Sequence, residues 1–241
     1  MPASKIKISK VDKTETGIPG LDEIIEGGLL NGSITTIAGD TGCGKSTFGI
    51  QFLVHGALND EPGLYISFDE QKDALYRNTA RFGWDLHQLE KQRNFVFIEY
   101  PPHELNHFIE QEGTIRDLVD TVGIERMVID PVTTLELLHE TELDKRRGML
   151  KLMEKIRNWG CTTLLISEGK EDLSQASRTR FGAELISDGL IQLYNLRYKT
   201  FRERALEVVK MRGVAHECKV FPFKIGSKGI EVFPHKTLAS A

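Results

Sequence analysis

Between residues 34 and 167, short apolar runs alternate with longer stretches whose apolar positions recur at helical spacing. Ile34 to Ala38 reads as a buried strand, followed by a helix from Lys45 to Gly56 whose apolar positions include Phe48, Ile50, Phe52, Leu53 and the adjoining Ala57. The alternation continues with a strand at Gly63 to Phe68 and a helix near Gln71 to Phe82. A strand at Phe95 to Tyr100 precedes a helix over roughly Glu104 to Val122. Arg126 to Asp130 is a strand, Asp144 to Trp159 a helix, and Thr162 to Ser167 a strand. Strands joined by helices of this length predict an α/β fold, a mostly parallel twisted sheet flanked by helices on both faces.

After residue 184 the pattern changes. Leu190 to Leu196, Ala205 to Met211, Lys219 to Phe223 and Ile230 to Phe233 read as strands without intervening helices. They predict an antiparallel C-terminal extension of the same sheet. No repeat, low-complexity tract or linker interrupts the chain, so residues 1–241 are expected to form one domain.

Composition narrows the function classes without choosing one. The formal net charge is −4 over 241 residues, which gives no whole-chain argument for nucleic acid or an anionic membrane. The three cysteines, Cys43, Cys161 and Cys218, are too scattered for a disulfide framework. That favours a reducing, cytoplasmic compartment. The basic N-terminus has no apolar segment after it, and no apolar run approaches the roughly 20 residues of a membrane helix. The seven histidines show no zinc-binding spacing.

The chemistry starts at Gly39-Asp40-Thr41-Gly42-Cys43-Gly44-Lys45-Ser46, which fits G-x-x-x-x-G-K-[ST] in full. Glycines let the backbone wrap phosphate oxygens, and the helix that follows adds its unpaired N–H groups and dipole. Lys45 is expected on the β- and γ-phosphates, Ser46 on Mg²⁺ and Thr47 on the α-phosphate. A random chain of this length matches on the order of one per cent of the time, and here the motif lies between a strand and a helix. Cys43 reads as a small filler, with a reactive thiol as the other reading.

Hydrolysis needs carboxylates as well. Asp130 ends the apolar strand Met127-Val128-Ile129, at the sheet edge where α/β ligands bind. It is assigned to the Mg²⁺ shell through a water; a solvated strand-end acid is the plainer reading. Asp69 and Glu70 follow the strand ending at Phe68, with Glu70 preferred as the water-activating base and Asp69 as its support. An acidic first turn of a helix would explain the pair without catalysis. Lys210 and Arg212, two apart on a strand, share one face and read on their own as a solvated pair.

As a set, these residues resemble the KaiC-like branch of the RecA superfamily of ATPases, in single-domain form. The resemblance runs from Thr16-Gly17-Ile18-Pro19-Gly20-Leu21-Asp22 and Gly27-Gly28-Leu29 through Asp69-Glu70, Phe82-Gly83-Trp84-Asp85-Leu86, Ile129-Asp130 and Ser187-Asp188. It ends with Lys210-Met211-Arg212-Gly213, His216, Phe221-Pro222-Phe223 and Gly229-Ile230. It implies a RecA-like core, ATP and Mg²⁺ as ligands, and a homo-hexamer or other ring with ATP held between neighbours. It also implies that Glu70 is the main catalytic acid and that Lys210 and Arg212 reach the γ-phosphate of the adjacent subunit. Two features depart from the clock members, which carry two tandem domains. The chain has the length of one, and Glu184-Leu185 stand where their second domain autophosphorylates a Ser-Thr pair. Neither autokinase activity nor a clock role is expected.

The stretch 168–183 is polar and of functional-loop length, and in RecA-like proteins such loops line the ring centre. Lys170, Arg178 and Arg180 would suit phosphates, whereas Glu168, Glu171 and Asp172 would repel them, so a solvated loop is favoured over DNA contact. The loop 131–147 mixes its charges in the same way. Glu168, ending a core strand, is also a candidate sensor of the γ-phosphate. Phe82 and Trp84 read as packing residues. The leading expectation is an ATPase acting as a ring. Its rivals are a regulatory nucleotide-binding module with little turnover and a recombinase paralogue that binds DNA, and an unidentified protein partner fits any of the three.

Overall fold

A computed structural model of the protein describes residues 12–101, 104, 108, 112–169 and 186–239. Lys170, Arg178, Arg180 and the Glu184-Leu185 pair lie outside the described residues.

Nine strands form one sheet. In chain order they are β3 (Ile34–Gly39), β4 (Gly63–Ser67), β5 (Phe95–Glu99), β6 (Arg126–Asp130), β7 (Thr162–Glu168), β8 (Gly189–Arg197), β9 (Arg202–Met211), β10 (Val220–Gly226) and β11 (Gly229–Val232). Across the sheet the order is β11-β10-β9-β8-β3-β7-β6-β4-β5. Pairing is parallel from β8 through β3, β7, β6 and β4 to β5, and antiparallel from β8 outward to β11. The expected parallel sheet with an antiparallel C-terminal extension is therefore present.

Period-two alternation sends each central strand to both sides. Leu64, Ile66, Met127, Ile129 and Leu165 join one cluster. Tyr65, Val128, Leu164 and Ile166 join the other. Burial on both faces is what makes these strands read as continuous apolar runs. The first cluster is completed by α5 (Glu112–Val122) and α6 (Glu142–Trp159), through Ile115, Val119, Leu152 and Ile156. The second is completed by α2 (Lys45–Ala57), α3 (Lys72–Ala80) and α4 (Leu86–Lys91), through Phe48, Phe52, Leu75 and Leu89.

Four features differ from the pattern-based expectation. A short hairpin pairs β1 (Lys13–Thr14) with β2 (Leu29–Leu30), with α1 (Leu21–Ile24) between them. The segment after α3 holds a second helix, α4, capped by Asp85, whose side chain accepts from the Gln88 N–H. A 3-10 turn (Val132–Leu138) follows β6 directly, and α6 begins at Glu142, two residues earlier than read, because Thr141 caps it. Finally β9 carries a bulge: Lys210 faces Leu190 but Val208 faces Ile191, so Val209 is an extra residue.

Two buried polar side chains fix the framework around α2. Gln51 donates to the carbonyls of Gly17 and Ile230, both at 3.0 Å, and accepts from the Ile230 N–H at 2.6 Å. It thereby ties α2 to both the N-terminal segment and the β10–β11 hairpin. Arg126, only 1% exposed, donates to Glu61 at 2.6 Å, to the Glu15 carbonyl at 2.8 Å and to the Phe52 carbonyl at 3.0 Å. A guanidinium so deep is tolerable only because several oxygens replace its water.

Candidate functional site

β3 leads from the middle of the sheet directly into the glycine-rich loop. A Cβ on Gly39 would lie 2.6 Å from both the Cys43 sulfur and the Leu193 carbonyl oxygen. Cys43 is fully buried beneath the loop, which fits the filler reading rather than the reactive one. Gly44 has φ 107°, outside the range an L side chain holds comfortably, and forms the N-cap of α2. No side chain caps that helix end, so its first N–H donors face the loop. Ile225 and Ile230 of the C-terminal hairpin stand against Gly44. The Lys45 ammonium lies across the loop and donates to the carbonyls of Gly39 and Asp40 at 3.0 and 2.9 Å. Asp40 turns its carboxylate onto the Thr41 N–H at 2.8 Å.

Beside the loop, at the carboxyl ends of β4, β6 and β7, is a cleft of about 210 Å³. Its walls include Thr41, Gly42, Lys45, Ser46, Asp69, Glu70, Asp130 and Glu168. The ends converge because β6 pairs with β4, placing Asp130 opposite Ser67, while β7 pairs with β3, placing Glu168 opposite Gly39. This is the crevice where a strand order departs from sequence order.

Asp130 is 8% exposed, so the solvated-acid reading does not hold. Burial raises its pKa above the usual carboxylate value, and hydrogen bonds with Tyr65 and Ser46 and the charge of Lys45 oppose that rise. The Tyr65 hydroxyl, itself buried, donates to Asp130 at 2.5 Å. Glu70 is half-buried where Asp69 is exposed. The Ser67 hydroxyl accepts from the Glu70 N–H at 3.0 Å and donates to its carbonyl at 2.7 Å, which sets where the side chain leaves the strand. Burial raises the Glu70 pKa, and Asn78, donating to its carboxylate at 2.8 Å, works against that.

A larger hollow of about 460 Å³ adjoins this cleft on the far side of Ser46 and Thr47. Arg77, Asn78, Arg81 and Phe82 line it from α3 and the turn that follows. The sequence reading missed these positions. A polar helix face carries no signal of its own, and only the distance from Asn78 to Glu70 marks it. Phe82 is buried against Trp84, ring centroids 4.7 Å apart, so the pair does pack, but Phe82 also forms part of this wall.

Lys210 and Arg212 are not brought to the cleft. β9 runs antiparallel to β8 and ends at Met211, level with the start of β8 and β3. The two cations thus lie at the opposite edge of the sheet from the phosphate loop, on the order of 17 Å away along the six-residue β3. Lys210 and Arg212 flank the core-facing Met211 and meet the adjacent residues Ser187 and Asp188. Arg212 lies one residue past β9, and the Val209 bulge, which precedes both cations, puts Val208 and Met211 on the core side. The Lys210 ammonium donates to the Ser187 carbonyl at 2.6 Å. Arg212 lies 3.6 Å from the Asp188 carboxylate, and its N–H donates to the Asp188 carbonyl at 2.9 Å.

One chain therefore gathers Gly39 to Thr47, Asp69, Glu70 and Asp130 around one opening, with Glu168 beside them, and holds Lys210 and Arg212 elsewhere. No helix among the described residues is long and apolar enough to cross a membrane.

Residues 14–237 match the family model described as "ATPase: KaiC". The chain is 33% identical over 241 residues to the circadian clock oscillator protein KaiC of Prochlorococcus marinus, covering 94% of this chain but 47% of that protein. It thus spans about half the length of the KaiC relatives it matches. A UPF0273 protein of Pyrococcus furiosus is 32% identical over 242 residues, covering 95% of this chain and 96% of its own length. The crystal structure of a KaiC-like protein from Pyrococcus horikoshii superposes with a TM-score of 0.82 at 34% identity, over 93% of this chain and all of that one.

Proposed function

The chain belongs to the KaiC-type ATPase family, and from that premise we propose that it hydrolyses ATP, with Mg²⁺, at a site completed by a second copy of itself. The observation that carries the reading is the single cleft that joins Lys45 and Ser46 to Asp130 and Glu70. The loop N–H groups and Lys45 hold the β- and γ-phosphates. In doing so Lys45 exchanges the carbonyls of Gly39 and Asp40 for phosphate oxygens of opposite charge. Thr47, facing the larger hollow, meets the α-phosphate, and the hollow takes the nucleoside.

Among the described residues no group of three or more His, Cys, Asp or Glu forms a metal cage. The donors present fit a cation held mainly by phosphate, with the Ser46 hydroxyl as direct ligand and Asp130 reached through water. Bound there, Mg²⁺ supplies charge neutralisation of the triphosphate. Tyr65 keeps one Asp130 oxygen occupied and so fixes which way the carboxylate faces. Glu70, with its pKa raised by burial, orients water and accepts its proton, and Asp69 adds negative charge beside it.

Lys210 and Arg212 act on the γ-phosphate of the adjacent copy in a hexamer or other ring. Their position on the far edge of the sheet supports this reading, since within one chain they are too distant to act. ATP turnover by wild type, Lys45→Ala, Glu70→Gln and Arg212→Ala, paired with native mass with and without ATP, tests it. Lys45→Ala loses binding. Glu70→Gln retains ATP but loses turnover, and Arg212→Ala retains ATP with turnover lowered but measurable. Assembled wild type that binds ATP and does not hydrolyse it overturns the enzymatic claim, and fully active monomers overturn the shared site.

A further inference from the structure

Ser187 and Asp188 precede β8 at the sheet edge opposite the cleft. The Asp188 carboxylate is 17% exposed and has two hydrogen-bond donors and a second cation beside it. One oxygen accepts from the Ile34 N–H at 3.0 Å. The other accepts from Arg157 at 3.1 Å, with Arg212 3.6 Å away. Its backbone is fastened as well, the Asp188 N–H to the Ile34 carbonyl at 2.8 Å and the Arg212 N–H to the Asp188 carbonyl at 2.9 Å. Arg212 is thus held at backbone and side chain by one residue, which is itself clamped to the first residue of β3.

Arg212 is 56% exposed, and a long guanidinium side chain left to itself samples many rotamers. A shared carboxylate restricts it without neutralising the group. Arg157 and Arg212 set two positive charges around one carboxylate, so Asp188 alone does not neutralise both. Lys210 donates to the neighbouring Ser187 carbonyl.

We propose that Asp188 is the positioning residue for Arg212, with Arg157 as the second cation that shares its carboxylate and keeps the arginine available to an anion on the next copy. The inference rests on the trans role of Arg212 proposed above. Because Asp188 is bonded to Ile34 at the start of β3, and β3 ends in the phosphate loop, the finger of one site is referenced to the strand that carries its own subunit's loop.

The test is a double-mutant cycle in assembled protein. Asp188→Asn keeps an acceptor for the Ile34 N–H but removes the charge. It lowers kcat roughly 10- to 100-fold, the loss expected for a misplaced catalytic group, with KM for ATP and native mass retained. In an Arg212→Ala background the same change alters kcat less than about twofold, because there is no finger left to position. An equal loss in both backgrounds, or wild-type kcat in Asp188→Asn, overturns the proposal. Arg157→Gln is a second probe that leaves every backbone link of Asp188 intact. It lowers kcat only when Arg212 is present, and a loss independent of Arg212 counts against the proposal.

Mixed assemblies separate this inference from the one beneath it. A Lys45→Ala subunit has a sound finger and no working loop, so mixing it with Asp188→Asn subunits restores turnover above either alone. Mixing it with Arg212→Ala subunits does the same. If neither mixture gains activity, the trans reading falls and takes this proposal with it. If only the Arg212→Ala mixture gains, the trans reading stands and Asp188 has no positioning role.

Discussion

Replacing Gln51 by leucine keeps most of the side-chain volume and removes three hydrogen bonds at once. The bonds are two donations at 3.0 Å to the Gly17 and Ile230 carbonyls and one acceptance at 2.6 Å from the Ile230 N–H. Gln51 is 6% exposed, so water does not readily take its place. At a net value of about 1 kcal/mol each the loss is about 3 kcal/mol. For a chain of this size that lowers Tm by about 6–12 °C. There is a functional corollary. Ile225 and Ile230 rest on Gly44, so freeing the β10–β11 hairpin loosens the cap of α2 and weakens ATP binding. Urea unfolding followed by circular dichroism gives the first quantity, and nucleotide titration the second. Gln51→Glu is a useful companion, since it keeps the acceptor for Ile230 but turns a carboxylate toward two carbonyl oxygens. A Gln51→Leu protein within about 1 kcal/mol of wild type refutes the view that this side chain joins the three segments.

Three further outcomes are expected. Gly39→Ala pushes a methyl against both the Cys43 sulfur and the Leu193 carbonyl; adding Cys43→Ala relieves only the first, so ATP affinity measured by titration falls at least about tenfold in both proteins. Arg126→Ala leaves the Glu15 and Phe52 carbonyls without their donor and opens space under Gly56, while Glu61 is exposed enough to be taken up by water; denaturant melts should show a loss of about 2–4 kcal/mol. The Asp188 pKa is shifted in the opposite direction from those of Asp130 and Glu70. Burial alone would raise its pKa, but hydrogen bonds from Arg157 and Ile34 and the charges of Arg157 and Arg212 hold it below the usual 3.8. Its stabilising contribution is therefore fully present above 3.8 and lost as pH falls through its lowered pKa. The stability advantage of wild type over Asp188→Asn should shrink only at the acid end of a pH series, and an advantage that grows on acidification contradicts the assignment.

The parts of the fold legible in sequence were those set by local pattern. Strands buried on both faces show as unbroken apolar runs, and Gly39 to Ser46 shows because phosphate wrapping dictates residue types at fixed spacing. Asp130 was readable for a related reason, as a charge ending such a run. The features that escaped depend on partners distant in the chain. Gln51 looks like an ordinary polar helix position, and is buried only because Ile230, 179 residues on, needs a partner. Arg126 looks like a charge before a strand, yet its guanidinium is enclosed by segments at 15, 52 and 61. The Val209 bulge is a property of the β8–β9 pairing, which no single strand's alternation records. Asn78 became visible only by its distance from Glu70.

If Arg212 serves the phosphate loop of a neighbouring copy, as proposed, its placement at the sheet edge opposite the loop decides how complete sites are counted. A two-fold dimer pairs residues reciprocally, so one seam would carry two such sites. In the proposed ring the contacts run head to tail, so each seam makes one site. An open row of copies then has one fewer complete site than it has subunits, and closure supplies the last. Specific activity per subunit would accordingly rise with the length of the row and level off at closure, so turnover measured against protein concentration reports the geometry of the assembly.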